Sequence, residues 1–233
     1  MINSLCVILA RKGSKGIKGK NIVNINDKPL IAHTIEAAIK SNQFDNVVVS
    51  TDCNDILEIS NKYGASTPFM RPDYLSGDHV LSKVALRHAV EQSEIIYNKK
   101  FDIVAELQCT SPLRSHRHVL EAMQLFLKNK EKIDSVVSLR EVNHFHPKKI
   151  KKLKDGIVEA LCDHYIENQI GRRQDSQSFY IRNGAIFIMH RNCLFEKNSR
   201  VGDTTMGYVM DEISSINIDS LLDLKLAKVI MEE

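Results

Sequence analysis

The chain has 233 residues, 43% of them hydrophobic and 26% charged, with a net charge of +3 at neutral pH. That length suits one large α/β domain or two small ones, and the apolar share can fill a real core. The charge is too mild for a general nucleic-acid binder, and no run nears the ~20 apolar residues of a spanning helix, so neither a nucleic acid nor a membrane is an expected partner.

Residues 4-SLCVILA-10 and 46-NVVVS-50 are short, continuous apolar runs rich in β-branched side chains, the pattern of strands buried on both faces. Between them, 29-PLIAHTIEAAIKS-41 opens with proline at a first helical position and carries Leu30, Ile31, Ile35, Ala38 and Ile39 at helical spacing. Strand, helix and strand in succession make a βαβ unit of a parallel sheet. A second helix is expected over 53–64, with Asn54 or Asp55 as its cap and Gly64 at its end. The alternation continues as helix 79–96, strand 101–108, helix 116–130 and strand 134–139. The stretch 141–178 is polar, basic and weakly periodic. It reads as an insertion and not a linker, because 157-IVEALCDHYI-166 keeps apolar residues. Strand signals return over 179–190, and 219–233 reads as a terminal amphipathic helix.

The five cysteines (Cys6, Cys53, Cys109, Cys162 and Cys193) are odd in number, scattered and without a C-x-x-C pair. They point to a reducing compartment and away from a disulfide framework or zinc knuckle. The N-terminal apolar stretch has its positive charges after it, the wrong order for a signal peptide. A cytoplasmic location is expected.

One loop concentrates chemistry. In 7-VILARKGSKGIKGKN-21 an apolar run stops, and the next eleven residues hold Gly13, Gly16 and Gly19 with Arg11, Lys12, Lys15, Lys18 and Lys20 between them. A glycine-rich loop after the first strand of an α/β sheet lies where such sheets bind ligands. Glycines let backbone N–H groups approach phosphate oxygens, and the cations offset negative charge. The spacing is neither G-x-x-x-x-G-K-[ST] nor G-x-G-x-x-G. From the residues alone the loop is either a phosphate cradle or a basic exposed turn.

The stretch 10-ARKGSKGIKGKN-21 followed by Pro29-Leu30-Ile31 resembles the nucleotide signature of the acylneuraminate cytidylyltransferases, the CMP-sialic acid synthetases. Four further blocks agree in order and spacing: 50-STD-52, 68-PFMRP-72, 107-LQCTSPLR-114, and 172-RRQD-175 with 183-NGAIFI-188. The resemblance spans nearly the whole chain. It implies a three-layer Rossmann-like nucleotidyltransferase fold with a mostly parallel sheet, a single domain over 1–233 in which about 141–178 is an inserted dimerisation subdomain, and a homodimer. It also implies a reaction in which CTP and an α-keto acid sugar of the nonulosonic type give the CMP-sugar and pyrophosphate, with Mg²⁺ as cofactor. Legionaminic acid, pseudaminic acid or an 8-amino-Kdo type sugar are alternatives within the same chemistry. A non-catalytic nucleotide-binding relative is the alternative of another class.

Carried over position by position, the resemblance assigns Arg11, Lys15 and Lys20 to the triphosphate, with Lys20 foremost in transition-state stabilisation. Asn21, Arg71 and Ser82 fall to the nucleotide. Gln108, Arg173, Asn183 and Phe187 fall to the sugar, Phe187 standing where the family often has tyrosine. Asp219 and Asn217 fall to the metal, Asn217 replacing the first aspartate of the family's D-I-D. Lys12 and Lys18 occupy variable positions, as do Gly13 and Gly19, whereas Gly16 is a fixed one. Cys109 reads as a small apolar filler, Thr110 and Ser111 as candidate helix caps, and Arg114 as either a site residue or a structural ion pair. The pairs His116/His118 and His144/His146 lack a third ligand nearby and do not read as zinc sites.

Overall fold

The computed structural model describes residues 2–14, 16–142, 149–161 and 178–232. Lys15, Arg173 with its neighbours Arg172 and Gln174, His144, His146 and Cys162 lie outside the described residues, as does much of the expected dimerisation subdomain.

β1 (Ser4–Leu9) runs between two parallel neighbours, which is why its sequence is unbroken in apolar residues and does not alternate. The basic loop follows it, then a tiny hairpin of β2 (Asn24–Ile25) and β3 (Lys28–Pro29). α1 (Leu30–Ser41) starts one residue later than expected, with Pro29 at its N-cap, and Asn42 ends it in a left-handed conformation. β4 (Asn46–Ser50) and α2 (Asn54–Lys62) come next; Cys53, and neither Asn54 nor Asp55, is the N-cap of α2. α3 (Ser82–Ile96) begins three residues later than the sequence suggests and leads to β5 (Ile103–Leu107).

In α4 (His116–Asn129), Ser115 and His118 form a reciprocal capping box, with the Ser115 N–H donating to His118 Nδ1 at 3.1 Å. That gives His118 a structural role and leaves Thr110 and Ser111 out of the cap. β6 (Ser135–Glu141) precedes a hairpin of β7 (Lys151–Lys154) and β8 (Ile157–Ala160), whose Leu153, Ile157 and Val158 are all exposed. β9 (Tyr180–His190) runs straight into α5 (Arg191–Phe195). Neither α5 nor β10 (Thr205–Met210) is foreseen from the sequence; α6 (Leu221–Glu232) is.

Six strands form one sheet in the order β10-β6-β9-β5-β1-β4, parallel except for β9, which is antiparallel to both neighbours. α1, α2 and α4 pack on one face through Ile31, Ile35, Ile56, Met123 and Phe126. α3 and α5 cover the other through Leu86, Val90 and Leu194. This is a three-layer arrangement, with each fully buried large side chain worth about 1.5–3 kcal/mol of transfer free energy. A smaller cluster of Ile17, Ile25, Leu30, Ile218, Leu224 and Ala227 staples α6 and the segment before it onto the basic loop. The chain leaves β1 for β4 on one side and then returns to β5 on the other. The sheet's switch point, the favoured ligand position of such folds, therefore lies at the ends of β1 and β5.

Candidate active site

The loop after β1 is held open by specific contacts. The Lys12 N–H donates to Asp52 Oδ1 at 2.7 Å, so the aspartate of 50-STD-52 pins the loop's near end. The Asn21 side-chain amide donates to the Arg11 carbonyl at 3.0 Å and pins the far end. Gly16 packs so closely that a Cβ there would stand 2.5 Å from the Asp219 carbonyl oxygen, whereas one on Gly13 would meet nothing within 4 Å. Gly19 stands at φ 63°, a left-handed backbone that favours glycine, so the structure gives it a requirement its variable place in the resemblance did not suggest.

These contacts frame a cleft of about 470 Å³. Arg11, Ser14, Gly16, Lys20 and Asn21 form one wall; Arg71, Gly77, Asp78 and the start of α3 at Ser82 form the other; Asp219 closes the end. No side chain caps the start of α3, and its dipole adds an anion-favouring field to that wall. Lys20 Nζ donates to the Ile218 carbonyl at 2.8 Å and stands 3.2 Å from Asp219 Oδ1. Arg11 Nη1 lies 2.6 Å from Asp78 Oδ1 and also donates to the Ser76 carbonyl. Arg71 is buried and donates to both the Ser50 hydroxyl and the Ser50 carbonyl. Its burial lowers its pKa from the ordinary arginine value, partly offset by the charge of Asp52. Lys12 and Lys18 line a separate depression behind the loop and not this cleft.

The loop after β5 adjoins the cleft's closed end, because the Ile218 N–H donates to the Thr110 carbonyl at 2.7 Å. Gln108 opens that loop. Its carbonyl accepts from the Thr34 hydroxyl at 3.4 Å and from Arg114 Nη1 at 3.0 Å, and the same Arg114 nitrogen donates to the Ala185 carbonyl at 2.9 Å. Arg114 is thus a buried clamp between the ends of β5 and β9, with no ion-pair partner among the described residues. Cys109 is buried, and burial raises its thiol pKa to about 12, so it is no nucleophile.

Asn183 and Phe187 are not in the cleft. The Asn183 amide accepts from Ser138 Oγ at 2.5 Å and from the Ala185 N–H at 3.1 Å, and donates to Ser215 Oγ at 2.9 Å. Phe187 is buried in the core under α3, with the Arg200 guanidinium 4.5 Å above its ring. The structure therefore brings together Arg11, Lys20, Asn21, Arg71, Ser82 and Asp219, and places Gln108 next to them. Sequence reasoning passed over Asp52 and Asp78 as named partners, although Asp52 stands in the block 50-STD-52 and Asp78 only four residues before Ser82.

The sequence family described as cytidylyltransferase matches residues 5–231. This chain belongs to the cytidylyltransferase family. It is 35% identical over 234 residues to an N-acylneuraminate cytidylyltransferase of Escherichia coli O18:K1:H7, covering 98% of this chain and 52% of that protein. It is 33% identical over 229 residues to the CMP-N,N'-diacetyllegionaminic acid synthase of Campylobacter jejuni, covering 98% of this chain and 94% of that one. This cytidylyltransferase thus spans about half the length of the first relative and nearly all of the second. Its fold is similar to that of a solved CMP:2-keto-3-deoxy-manno-octonic acid synthetase complexed with CTP, at a TM-score of 0.72 and 17% identity, over 99% of this chain and 98% of that one.

A divalent cation is the usual companion of such chemistry, and the residues at the end of the cleft fit one. Asp219 offers an exposed carboxylate, and Asn217 Oδ1 is a buried oxygen with no hydrogen-bond partner. One carboxylate, a carbonyl oxygen and the phosphates of a nucleotide are the donors that Mg²⁺ takes. Among the described residues no cluster of three or more histidine, cysteine, aspartate or glutamate side chains could hold a metal by itself.

Proposed function

We propose that this protein transfers the cytidylyl group of CTP to the anomeric hydroxyl of a nonulosonic α-keto acid sugar, releasing pyrophosphate. The observation that carries the reading is the cleft itself: Arg11, Lys20 and the N-terminus of α3 converge on a space of about 470 Å³ that Asp219 closes. Two similar proteins whose names record cytidylyl transfer to sugars of this class support it, as does the order of the shared blocks.

In the reaction, the sugar oxygen forms a bond to the α-phosphorus, the bond from that phosphorus to the bridging oxygen breaks, and pyrophosphate leaves with the electron pair. The hydroxyl proton passes to solvent. Lys20 and Arg11 neutralise charge on the triphosphate and the departing pyrophosphate, the larger part of catalysis in phosphoryl-type transfer. Lys15 is assigned to the same task. Asn21 holds the loop in shape and faces the nucleotide, and Arg71 with Ser82 lines the base and ribose side. Gln108 addresses the sugar, and Arg173, as a guanidinium, suits the sugar's carboxylate. Mg²⁺ held by Asp219 and Asn217 would supply further charge neutralisation. A homodimer in the cytoplasm is part of the same reading; four described cysteines that are free and buried are consistent with a reducing compartment.

The test is pyrophosphate release from CTP and Mg²⁺ with a panel of sialic, legionaminic and pseudaminic acids and eight-carbon keto sugars. Turnover with one member is expected, and none with the whole panel would overturn the reading in favour of a non-catalytic nucleotide binder. Lys20→Ala should remove turnover by a factor of about 100 or more while leaving the melting temperature nearly unchanged.

A further inference from the structure

Asp219 stands on no strand or helix; it is followed by Ser220, the residue before α6. Its side chain is 71% exposed, so packing does not aim the carboxylate and the backbone has to. That backbone is tied on both sides. The Ile218 N–H donates to the Thr110 carbonyl at 2.7 Å, and the Ile218 carbonyl accepts from Lys20 Nζ at 2.8 Å. The Ser220 carbonyl accepts from the Leu224 N–H at 3.1 Å and so begins the helix.

Asp223 joins the two sides. One of its oxygens, Oδ2, accepts from the Ser220 N–H at 2.7 Å, the Ser220 hydroxyl at 2.8 Å and the Asp219 N–H at 3.0 Å. The Asp223 N–H donates back to Ser220 Oγ at 3.3 Å. The exchange between Ser220 and Asp223 is a capping box, and it satisfies the start of the helix by itself. The bond from the Asp219 N–H is additional. It falls outside the helix, on the residue whose carboxylate closes the cleft. Glutamate or glutamine usually fills the third position of such a box. Aspartate is one methylene shorter, and its single oxygen here serves both backbone N–H groups.

The Asp219 carboxylate then meets Lys20 Nζ at 3.2 Å through Oδ1, while the Asp219 carbonyl oxygen lies against Gly16. A turn of this one residue would move both contacts together.

We propose that Asp223 is a positioning residue for the metal end of the cleft: by holding the Asp219 N–H it fixes the backbone from which the Asp219 carboxylate projects toward Lys20 and the nucleotide-bound cation. The inference rests on the reading of Asp219 as the metal carboxylate. It assigns Asp223 a task beyond starting α6, although Asp223 touches neither substrate nor metal in that task.

The experiment titrates the full chain with CTP by calorimetry, once with Mg²⁺ and once in excess chelator, with no sugar present. The readout is the factor by which Mg²⁺ tightens CTP binding, which a general loss of affinity does not move. Asp223→Ala should lower that factor by about tenfold or abolish it, the low end of what partners of a metal ligand are worth. Lys20 has a flexible stem that can follow the shift, so CTP affinity in chelator should stay within about threefold. Asp223→Asn keeps an acceptor oxygen of the same reach and should retain the factor within about threefold.

Lys225→Gly is the control for a purely structural role. Lys225 is exposed on α6, and glycine there weakens the helix with the box intact. It should lower the melting temperature and leave the factor unchanged. Should Asp223→Ala not fold, Asp223→Ser takes its place with the same expectation, because its shorter side chain does not reach the Asp219 N–H. An unchanged factor in the Ala or Ser variant, an equal fall in Lys225→Gly, or an Asn variant that behaves like Ala would each overturn the proposal. A wild-type chain whose CTP affinity ignores Mg²⁺ would overturn it together with the metal role of Asp219. A chain silent with every sugar yet showing the expected pattern would refute the proposed reaction and uphold Asp223. Turnover with a sugar beside an unchanged factor in Asp223→Ala would do the reverse.

Discussion

The carbonyl oxygen of Asp219 lies where a side chain on Gly16 would begin: a Cβ built on Gly16 falls 2.5 Å from it. The obstacle is backbone, which cannot swing aside as a flexible side chain can. The basic loop and the segment that carries Asp219 are therefore in direct contact, and their spacing sets the depth of the cleft. Gly16→Ala should push the two apart, lowering stability by about 1–3 kcal/mol and raising the CTP KM well beyond what the stability loss explains. Thermal melting and CTP saturation curves check both effects.

Arg11 and Asp78 neutralise each other across the cleft at 2.6 Å, and both side chains are substantially solvated, at 29% and 40% exposure. Such a pair contributes little to folding, about 0.2–1 kcal/mol before screening by salt. It does occupy the guanidinium that a phosphate would take. Asp78→Asn should leave the melting temperature nearly unchanged and lower the CTP KM by about two- to fivefold, more at low ionic strength than at high. A raised KM would show that Asp78 helps to hold the nucleotide and does not compete with it.

Asn217 donates its amide to Asp219 and leaves its own Oδ1 buried without a partner. Asn217→Asp would replace that donor with a second carboxylate, so the Mg²⁺ concentration for half-maximal rate should fall by about three- to tenfold. Titrating activity against Mg²⁺ at saturating CTP reads this directly. Full activity of the wild-type chain in excess chelator would exclude a metal from the reaction.

Glu94 gives an acid limit to stability. Burial raises its pKa, but hydrogen bonds from Arg191, Lys100 and the Phe101 N–H outweigh burial and hold it below the ordinary 4.5. A carboxylate with a depressed folded-state pKa stabilises the fold above its unfolded pKa and loses that contribution as pH falls through the folded value. Denaturant unfolding should therefore show stability dropping below about pH 4.5, with a shallower drop in Glu94→Gln.

The parts of the fold legible in the sequence are those where one force dominates. Residues 46–50 are a strand because the run Val47–Val48–Val49 strongly favours extended, buried backbone, and the sequence bounds match the observed β4. β10 escaped because it is an edge strand, half exposed, with Gly207 in its middle and no clear alternation. In the site, Arg11, Lys20 and Asn21 were legible as one loop, but Asp219 joined them only through the resemblance, because nothing local ties it to residue 20. Glu106 carried an unread signal: a lone acid inside the apolar run 103-IVAEL-107 needs a partner, and Arg200 lies 94 positions away.

Lys20 and Asp219 meet across 199 positions of chain. At synthesis rates of about 5–20 residues per second, the basic loop leaves the ribosome roughly 10–40 seconds before its acidic counterpart exists. Within that interval the nascent chain gains Asp52 and Asp78 for the loop but lacks the carboxylate that meets Lys20. Its ability to handle a nucleotide arrives late and all at once, with the docking of residues 216–219 beside the loop.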